Sequence, residues 1–136
     1  MLSCESSCLR VLLVDDHELT RLSLQFAFSC QENLQVVGLA SNGQEAIEMV
    51  KFSQPDVIVL DLQMPVMDGW RASGYIKSIS PNTQILAYSS VDDAHLQQTK
   101  AMSSFDEVCK KDAPTTELIA LVRQLGQRAV NNSTVG

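Results

Sequence analysis

The stretch that decides the fold is DVIVLDLQMPVMDG, residues Asp56 to Gly69. The run from Val57 to Leu60 is apolar without a break and rich in β-branched side chains. Such a run predicts a strand that is buried on both faces of a parallel sheet. Asp61 comes where this strand ends, and Pro65 indicates a loop before the next helix. Because ligands of open α/β sheets bind beyond the carboxyl ends of the strands, Asp61 is a candidate functional residue.

A second apolar segment, from Arg10 to Val14, also ends in acidic residues, Asp15 and Asp16. If both strands lie in one parallel sheet, the carboxylates of Asp15, Asp16 and Asp61 meet at its carboxyl edge. Neighbouring carboxylates repel one another and raise one another's pKa values. A hard divalent cation relieves this repulsion, and oxygen ligands suit Mg²⁺ or Mn²⁺. The pattern therefore predicts a cation site at this edge.

Predicted strands and helices alternate along the whole chain of 136 residues. The strands are predicted at 10–14, 34–40, 57–60, 83–88 and 105–110, and the helices at 16–30, 44–52, 70–78, 94–102 and 115–128. Strict alternation implies a doubly wound α/β fold, in which helices cover both faces of a five-stranded parallel sheet. The length suits one domain, which we predict over residues 9–129, with flexible tails at 1–8 and 130–136.

The first predicted helix has an apolar stripe at helical spacing. The stripe consists of Leu19, Leu22, Phe26 and Cys30, and Leu24 and Phe28 widen it. His17 lies at the start of this helix, where we interpret it as a helix-start residue and not as a ligand.

Charge and motif content exclude several classes of function. The formal net charge of −6 argues against a broad surface for nucleic acid or anionic membranes. No apolar run approaches the ~20 residues that span a bilayer, and the N-terminus has no secretory leader. No Gly-rich phosphate loop is present. We therefore expect a cytoplasmic chain that does not contact nucleic acid or a membrane directly.

Side chains at the other strand ends complete a chemical pattern. Ser89 follows the fourth predicted strand and Lys111 follows the fifth, so a hydroxyl and an ammonium join the carboxylates. Phosphoryl transfer needs mainly positioning and neutralisation of charge. A carboxylate can be the nucleophile that forms an acyl phosphate, and Asp61 is the natural acceptor.

The same residues carry a resemblance to a known family. The pair Asp15-Asp16, the motif from Asp61 through Met64-Pro65 to Asp68-Gly69, Ser89 and Lys111 occur in this order. The chain thereby resembles the receiver domains of two-component response regulators over essentially its whole length. The resemblance implies a flavodoxin-like (βα)5 fold with strand order 2-1-3-4-5.

The resemblance also implies a mechanism and a set of site residues. A phosphoryl group would pass to Asp61 from a histidine kinase or a phosphotransfer protein, in a reaction that depends on Mg²⁺, with Mn²⁺ as the alternative ion. The implied metal ligands are Asp15, Asp16, Asp61 and the backbone carbonyl of Gln63. Ser89 would hydrogen-bond the phosphoryl group and Lys111 would pair with it.

Two positions near the fifth strand complicate this assignment. Lys110 competes with Lys111 for the role of the active lysine, and the family pattern fits Lys111 better. Family members usually carry Tyr or Phe three residues before that lysine, where this chain has Val108, or Glu107 if Lys110 is the active lysine. Neither residue can perform the aromatic switch of the family.

The resemblance favours a signalling switch that catalyses its own phosphotransfer and dephosphorylation over an enzyme with a separate substrate. One alternative is a binding module that works without phosphorylation. Another is a Mg²⁺-dependent aspartyl phosphohydrolase, but such enzymes usually place the nucleophile in the first strand and carry a cap insertion. The stretches 15–18 and 111–113 are similar to receivers fused to LuxR-type DNA-binding domains. The expected partners are a downstream protein or a fused output domain, and a homodimer is compatible with the resemblance.

Overall fold

The structure is a computed structural model that describes residues 8–90 and 104–135, apart from the side chains of 130–135. Within these residues, five parallel strands form one sheet in the order β2-β1-β3-β4-β5. The strands are β1 (Leu9–Val14), β2 (Leu34–Ala40), β3 (Val57–Asp61), β4 (Gln84–Ser89) and β5 (Glu107–Lys110). The predicted doubly wound fold and its strand order are therefore confirmed.

Helices alternate with these strands and cover both faces of the sheet. They are α1 (Glu18–Ser29), α2 (Gly43–Ser53), α3 (Gly69–Ile79) and α4 (Thr115–Val135). In the described part of the chain, none is long and apolar enough to cross a membrane. The helix predicted at 94–102 lies outside the described residues, as does almost all of the N-terminal tail predicted at 1–8.

The last helix differs from its prediction at its C-terminal end. It continues to Val135 and does not stop near Arg128, because no proline or glycine interrupts the sequence between Gly126 and Gly136. The segment 130–135 was predicted to be a tail and is helical. Its flexibility stays a prediction.

The sheet separates two layers of apolar side chains, because successive residues of a strand point to opposite faces. Leu12, Val14, Ile58 and Leu60 lie in the layer that α2 and α3 cover. The layer on the other face lies under α1 and α4, and it includes Leu13, Val59, Leu86, Cys109 and Phe28. All five residues of β3 are buried, as expected for the central strand.

Helix α1 buries a different face from the one that its apolar stripe suggested. Leu24 and Phe28 are buried, whereas Leu19, Leu22 and Phe26 are 79%, 48% and 73% exposed. At 3.6 residues per turn, the two sets lie on nearly opposite sides of the helix. Leu24 and Phe28 pack in the core of the sheet, and Arg21, which lies closer to the same side, donates a hydrogen bond of 2.6 Å to the Asp15 carbonyl.

The start of α3 is packed directly against the end of β3. The Asp68 side chain caps the helix by accepting a hydrogen bond from the Arg71 amide, at 2.9 Å. The Gly69 amide donates to the Leu62 carbonyl at 3.1 Å. A Cβ atom on Gly69 would overlap the carbonyl oxygen of Asp61, so only glycine fits this approach.

We expect Gly69→Ala to lower the free energy of unfolding by about 2 kcal/mol, because backbone atoms must move to admit the methyl group. Gly74→Ala is the matched control, since a Cβ at Gly74 meets nothing within 4 Å. The control should raise the free energy of unfolding by roughly 0.5–1 kcal/mol through helix propensity. Urea denaturation of both variants measures these changes, and equal shifts would show that the close approach at Gly69 is unimportant.

Candidate functional site

Parallel pairing of β1 and β3 places their acidic ends side by side. Val14 pairs with Leu60, so the following residues, Asp15 and Asp61, emerge at the same level of the sheet. Both are almost fully buried, with 1% and 3% of their surface exposed. Asp16 and His17 adjoin them, and one ligand atom from each of the four residues lies within 4.8 Å of the others. The structure thus brings the three predicted carboxylates together.

Lys111 is the cation that contacts this cluster. Its Nζ atom lies 2.9 Å from Asp15 Oδ2 and 3.4 Å from Asp61 Oδ1. Burial alone would lower the pKa of Lys111, but its hydrogen bond to Asp15 and the charge of Asp61 raise that pKa above the usual value. The structure therefore brings Lys111 to the carboxylates, while Lys110 pairs with Ser89 in the sheet.

Ser89 and Tyr88 belong to the strand next to Asp61. Ser89 is buried at the end of β4, and its carbonyl accepts a hydrogen bond of 2.9 Å from the Lys111 amide. Tyr88 pairs with Asp61 in the sheet, and its ring centroid lies 5.7 Å from Lys111 Nζ. A cation over an aromatic face is attracted to it. Tyr88 therefore helps to hold the ammonium beside the carboxylates.

The environment of Asp61 disfavours its charged form. Burial is the main cause and the negative charge of Asp15 the second, and together they raise the pKa of Asp61 to about 6. Lys111 and the Gln63 amide, which donates to Asp61 Oδ1 at 3.2 Å, oppose this shift without cancelling it. The site consequently carries more negative charge than its own cation offsets.

Two carboxylate oxygens show where a further cation would fit. Asp16 Oδ1 and Asp61 Oδ2 are buried and accept no hydrogen bond within the described residues. His17 Nδ1 lies 3.1 Å from Asp16 Oδ1, but without the alignment of a hydrogen bond. Buried oxygens of this kind are costly unless a donor or a metal satisfies them. The carboxylate ligands and their two oxygens without hydrogen bonds therefore fit a divalent cation.

The loop between Asp61 and α3 is held in a strained conformation. Val66 has φ of 68°, which is unfavourable for a β-branched residue, and the Met67 amide donates to the Pro65 carbonyl at 2.7 Å. These are features of a γ-turn with positive φ. The Met67 carbonyl accepts from the Gly43 amide at 3.0 Å, which ties the loop to α2. The role predicted for the Gln63 carbonyl stays a prediction.

Sequence reasoning missed two features of the site. His17 turns its ring to the cluster, with Nδ1 3.1 Å from Asp15 Oδ1, and its side chain does not cap α1. A groove of about 250 Å³ lies beside the cluster, between α1, β4 and the start of α4. Its lining includes Leu19, Leu24, Tyr88 and Thr115. The position of His17 directly after Asp15-Asp16 was a signal in the sequence. The groove had no such signal, because side chains from three separate elements line it.

Comparisons with known proteins agree with this geometry. A family model described as a response regulator receiver domain matches residues 11–123. The chain is 33% identical over 129 residues to the probable transcriptional regulatory protein NarL of Mycobacterium tuberculosis, covering 93% of this chain and 60% of that protein. It is 35% identical over 85 residues to the uncharacterized transcriptional regulatory protein YhcZ of Bacillus subtilis, covering 62% of this chain and 40% of that protein.

A solved structure of the receiver domain of the putative response regulator NarL from M. tuberculosis is also similar. It superposes with a TM-score of 0.83 and 30% identity, over 89% of this chain and 98% of that one. The chain therefore spans less than two thirds of the length of these curated relatives, but nearly all of the solved receiver.

We expect Asp61→Asn to change how stability depends on pH in metal-free buffer. Because the folded-state pKa is raised, the stabilising contribution of protonated Asp61 is fully present below the ordinary pKa near 4 and is lost as the pH rises through about 6. The free energy of unfolding of the variant should therefore be close to that of the wild type near pH 4 and exceed it at pH 7 by about 3 kcal/mol. Urea denaturation across this range in EDTA measures the difference, and parallel curves would contradict the raised pKa.

Proposed function

The chain belongs to the response regulator receiver domain family, and we propose that it is a switch in which Asp61 accepts a phosphoryl group. This proposal rests mainly on the burial of Asp61 beside Asp15, Asp16 and Lys111. One oxygen of the Asp61 carboxylate accepts no hydrogen bond within the described residues. A buried carboxylate contributes little to packing, but it can act as the nucleophile that attacks a phosphoryl group.

Metal binding is part of this proposal. Asp16 and Asp61 would hold Mg²⁺ through their unsatisfied oxygens, Asp15 would contribute directly or through water, and the Gln63 carbonyl would complete the protein ligands. Mg²⁺ has a strong preference for oxygen and usually keeps several waters. When bound, the ion supplies positive charge that neutralises phosphoryl oxygens.

Phosphoryl transfer to Asp61 needs no reagent other than the phosphodonor. A carboxylate oxygen of Asp61 forms a bond to phosphorus while the phosphorus–nitrogen bond of a phosphohistidine breaks, and the bonding electrons leave with the imidazole. Lys111 Nζ, already between Asp15 and Asp61, pairs with an incoming phosphoryl oxygen. The Ser89 hydroxyl donates a hydrogen bond to another. Hydrolysis later transfers the group from Asp61 to water and restores the carboxylate.

The phosphodonor that we propose is a histidine kinase or a phosphotransfer protein, and the apolar face of α1 supports a protein donor. Leu19 is exposed two residues after His17, and Leu22 and Phe26 continue the same exposed apolar face along α1, away from the site. Exposed apolar patches beside a functional site are typical of protein contacts. NarL and YhcZ are named as transcriptional regulators. An output through a DNA-binding domain or a separate protein is therefore proposed for this chain.

Transmission from the site needs a route other than the usual aromatic switch. Val108 occupies the family's aromatic position and packs against the layer under α2 and α3. Trp70, the second residue of α3, contacts Phe105 in the same layer, with ring centroids 5.4 Å apart. Because Gly69 is packed on the Asp61 backbone, a shift of Asp61 would reach the neighbouring Trp70 through Gly69, and Phe105 through Trp70. We assign the coupling to this contact.

Incubation with acetyl phosphate and Mg²⁺ should add one phosphoryl group to the chain, as measured by intact mass and Phos-tag mobility. Asp61→Asn should abolish the addition because the nucleophile is lost, and EDTA should prevent it. Asp112→Asn, a substitution of an exposed carboxylate beside Lys111, should leave it intact.

Several outcomes of this experiment would contradict the proposal. Phosphorylation that survives in Asp61→Asn would assign another acceptor. If neither acetyl phosphate nor phosphorylated kinases modified the chain while Mg²⁺ bound it, the chain would be a phosphorylation-independent binding module. Release of phosphate from small phosphomonoesters would favour the aspartyl phosphohydrolase.

Substitution of the two neighbouring lysines should have unequal effects. Lys111→Ala removes the ammonium that contacts Asp15 and Asp61, so we expect the initial rate of phosphorylation to fall roughly 10²-fold. Lys110→Ala, the matched control, should keep a rate close to that of the wild type. The rates are read by intact mass at early times with acetyl phosphate. The reverse ranking would make Lys110 the active lysine.

A further inference from the structure

We infer that His17 is a nitrogen ligand at the carboxylate cluster, so that the site binds Zn²⁺ more tightly than an all-oxygen cluster would, in competition with Mg²⁺. The inference deepens the metal-binding part of the proposed function and rests on it. It concerns which ion the site prefers. The oxygen ligands alone would favour Mg²⁺ or Mn²⁺.

The distances suit a shared ion. His17 Nδ1 lies 3.1 Å from Asp16 Oδ1 and 3.1 Å from Asp15 Oδ1. Two ligand atoms of a tetrahedral Zn²⁺ ion at ~2.1 Å are about 3.4 Å apart. The ligand atoms of Asp15, Asp16, His17 and Asp61 all lie within 4.8 Å of one another. One ion can therefore meet them after a small inward movement.

An independent observation points to a missing ligand. Asp61 is 3% exposed, and its Oδ2 atom accepts no hydrogen bond within the described residues. Asp16 Oδ1, also unsatisfied, is the oxygen nearest to the ring of His17. An ion bound between these two oxygens would have the His17 nitrogen as a neighbouring ligand.

Turning the ring of His17 towards an ion would break one side-chain contact, the hydrogen bond of 3.1 Å between Nδ1 and Asp15 Oδ1, which the bond to the ion would replace. The His17 side chain is 67% exposed and makes no capping hydrogen bond to α1. Its backbone is fixed independently, because its amide donates to Asp15 Oδ1 at 2.9 Å. The ring is thus held near the cluster but can turn towards an ion.

The chemical type of the added ligand, an imidazole nitrogen, determines for which ion the affinity rises. Imidazole nitrogen binds Zn²⁺, Ni²⁺ and Cu²⁺ well, whereas Mg²⁺ prefers carboxylate, carbonyl and water oxygens. Adding one imidazole to the carboxylates therefore raises the affinity for Zn²⁺ much more than the affinity for Mg²⁺. Because both ions use Asp16 and Asp61, Zn²⁺ bound in this way excludes Mg²⁺.

The test is calorimetric titration of the metal-free full chain with ZnCl₂ and, separately, with MgCl₂. We expect His17→Ala to weaken Zn²⁺ binding by about tenfold or more, while Mg²⁺ binding changes by less than about twofold. His95→Ala is the matched control, since it removes the other histidine of the chain. Asp61→Asn should abolish Zn²⁺ binding at this site, which distinguishes it from zinc held by cysteines.

The outcomes separate this inference from the proposed function. Zn²⁺ affinity that is unchanged in His17→Ala, or that falls equally in His95→Ala, would overturn the inference, as would equal losses for Zn²⁺ and Mg²⁺. Absence of Mg²⁺ binding to the wild type would instead count against the proposed function. Long-range ¹⁵N spectra provide a second readout, because the Nδ1 resonance of His17 must shift when Zn²⁺ binds.

Discussion

Lys111 is shared between two buried carboxylates, and this sharing sets the properties of the carboxyl edge of the sheet. One ammonium lies within 3.4 Å of both Asp15 and Asp61, so neither carboxylate has a full counter-charge. Asp16 adds further negative charge nearby. Burial and, second to it, the negative charge of Asp15 raise the pKa of Asp61. Two buried carboxylate oxygens accept no hydrogen bond within the described residues. The fold therefore maintains an edge whose charges are balanced only when a ligand arrives.

The alternation of side chains along the strands determines which groups share this edge. Asp15, Asp61 and Lys111 each come two residues after a member of the layer under α1 and α4, namely Leu13, Val59 and Cys109. They therefore emerge on the same face. Tyr88 also packs against that layer, whereas Val108 packs against the opposite one. The aromatic ring that contacts Lys111 thus lies across the sheet from the family's switch position, and it cannot replace that switch.

The sequence alone predicts those features that depend on local pattern and on topology. Apolar runs and their alternation with helices lead to the sheet, and the family motifs add its order. The acids at the strand ends converge because parallel strands place their carboxyl ends together. The rotation of α1 is not local information, because both sides of the helix are apolar. The side that carries Leu24 and Phe28 packs on the sheet, where Arg21 also contacts the Asp15 carbonyl. The direction of the His17 ring depends on a contact that only the folded chain makes, between Nδ1 and Asp15 Oδ1.

The exposed face of α1 has a consequence for the insulation of signalling. Its large side chains, Leu19, Leu22 and Phe26, are apolar, and the charged residues of the helix, Glu18 and Arg21, both lie in its first turn. Apolar contact supplies affinity, but charge pairing supplies much of the discrimination between related partners. If the proposed phosphodonor docks on this face, its few charges give it little means of discriminating between related donors. Protection from cross-talk must then come from the rim loops and from the negative site itself.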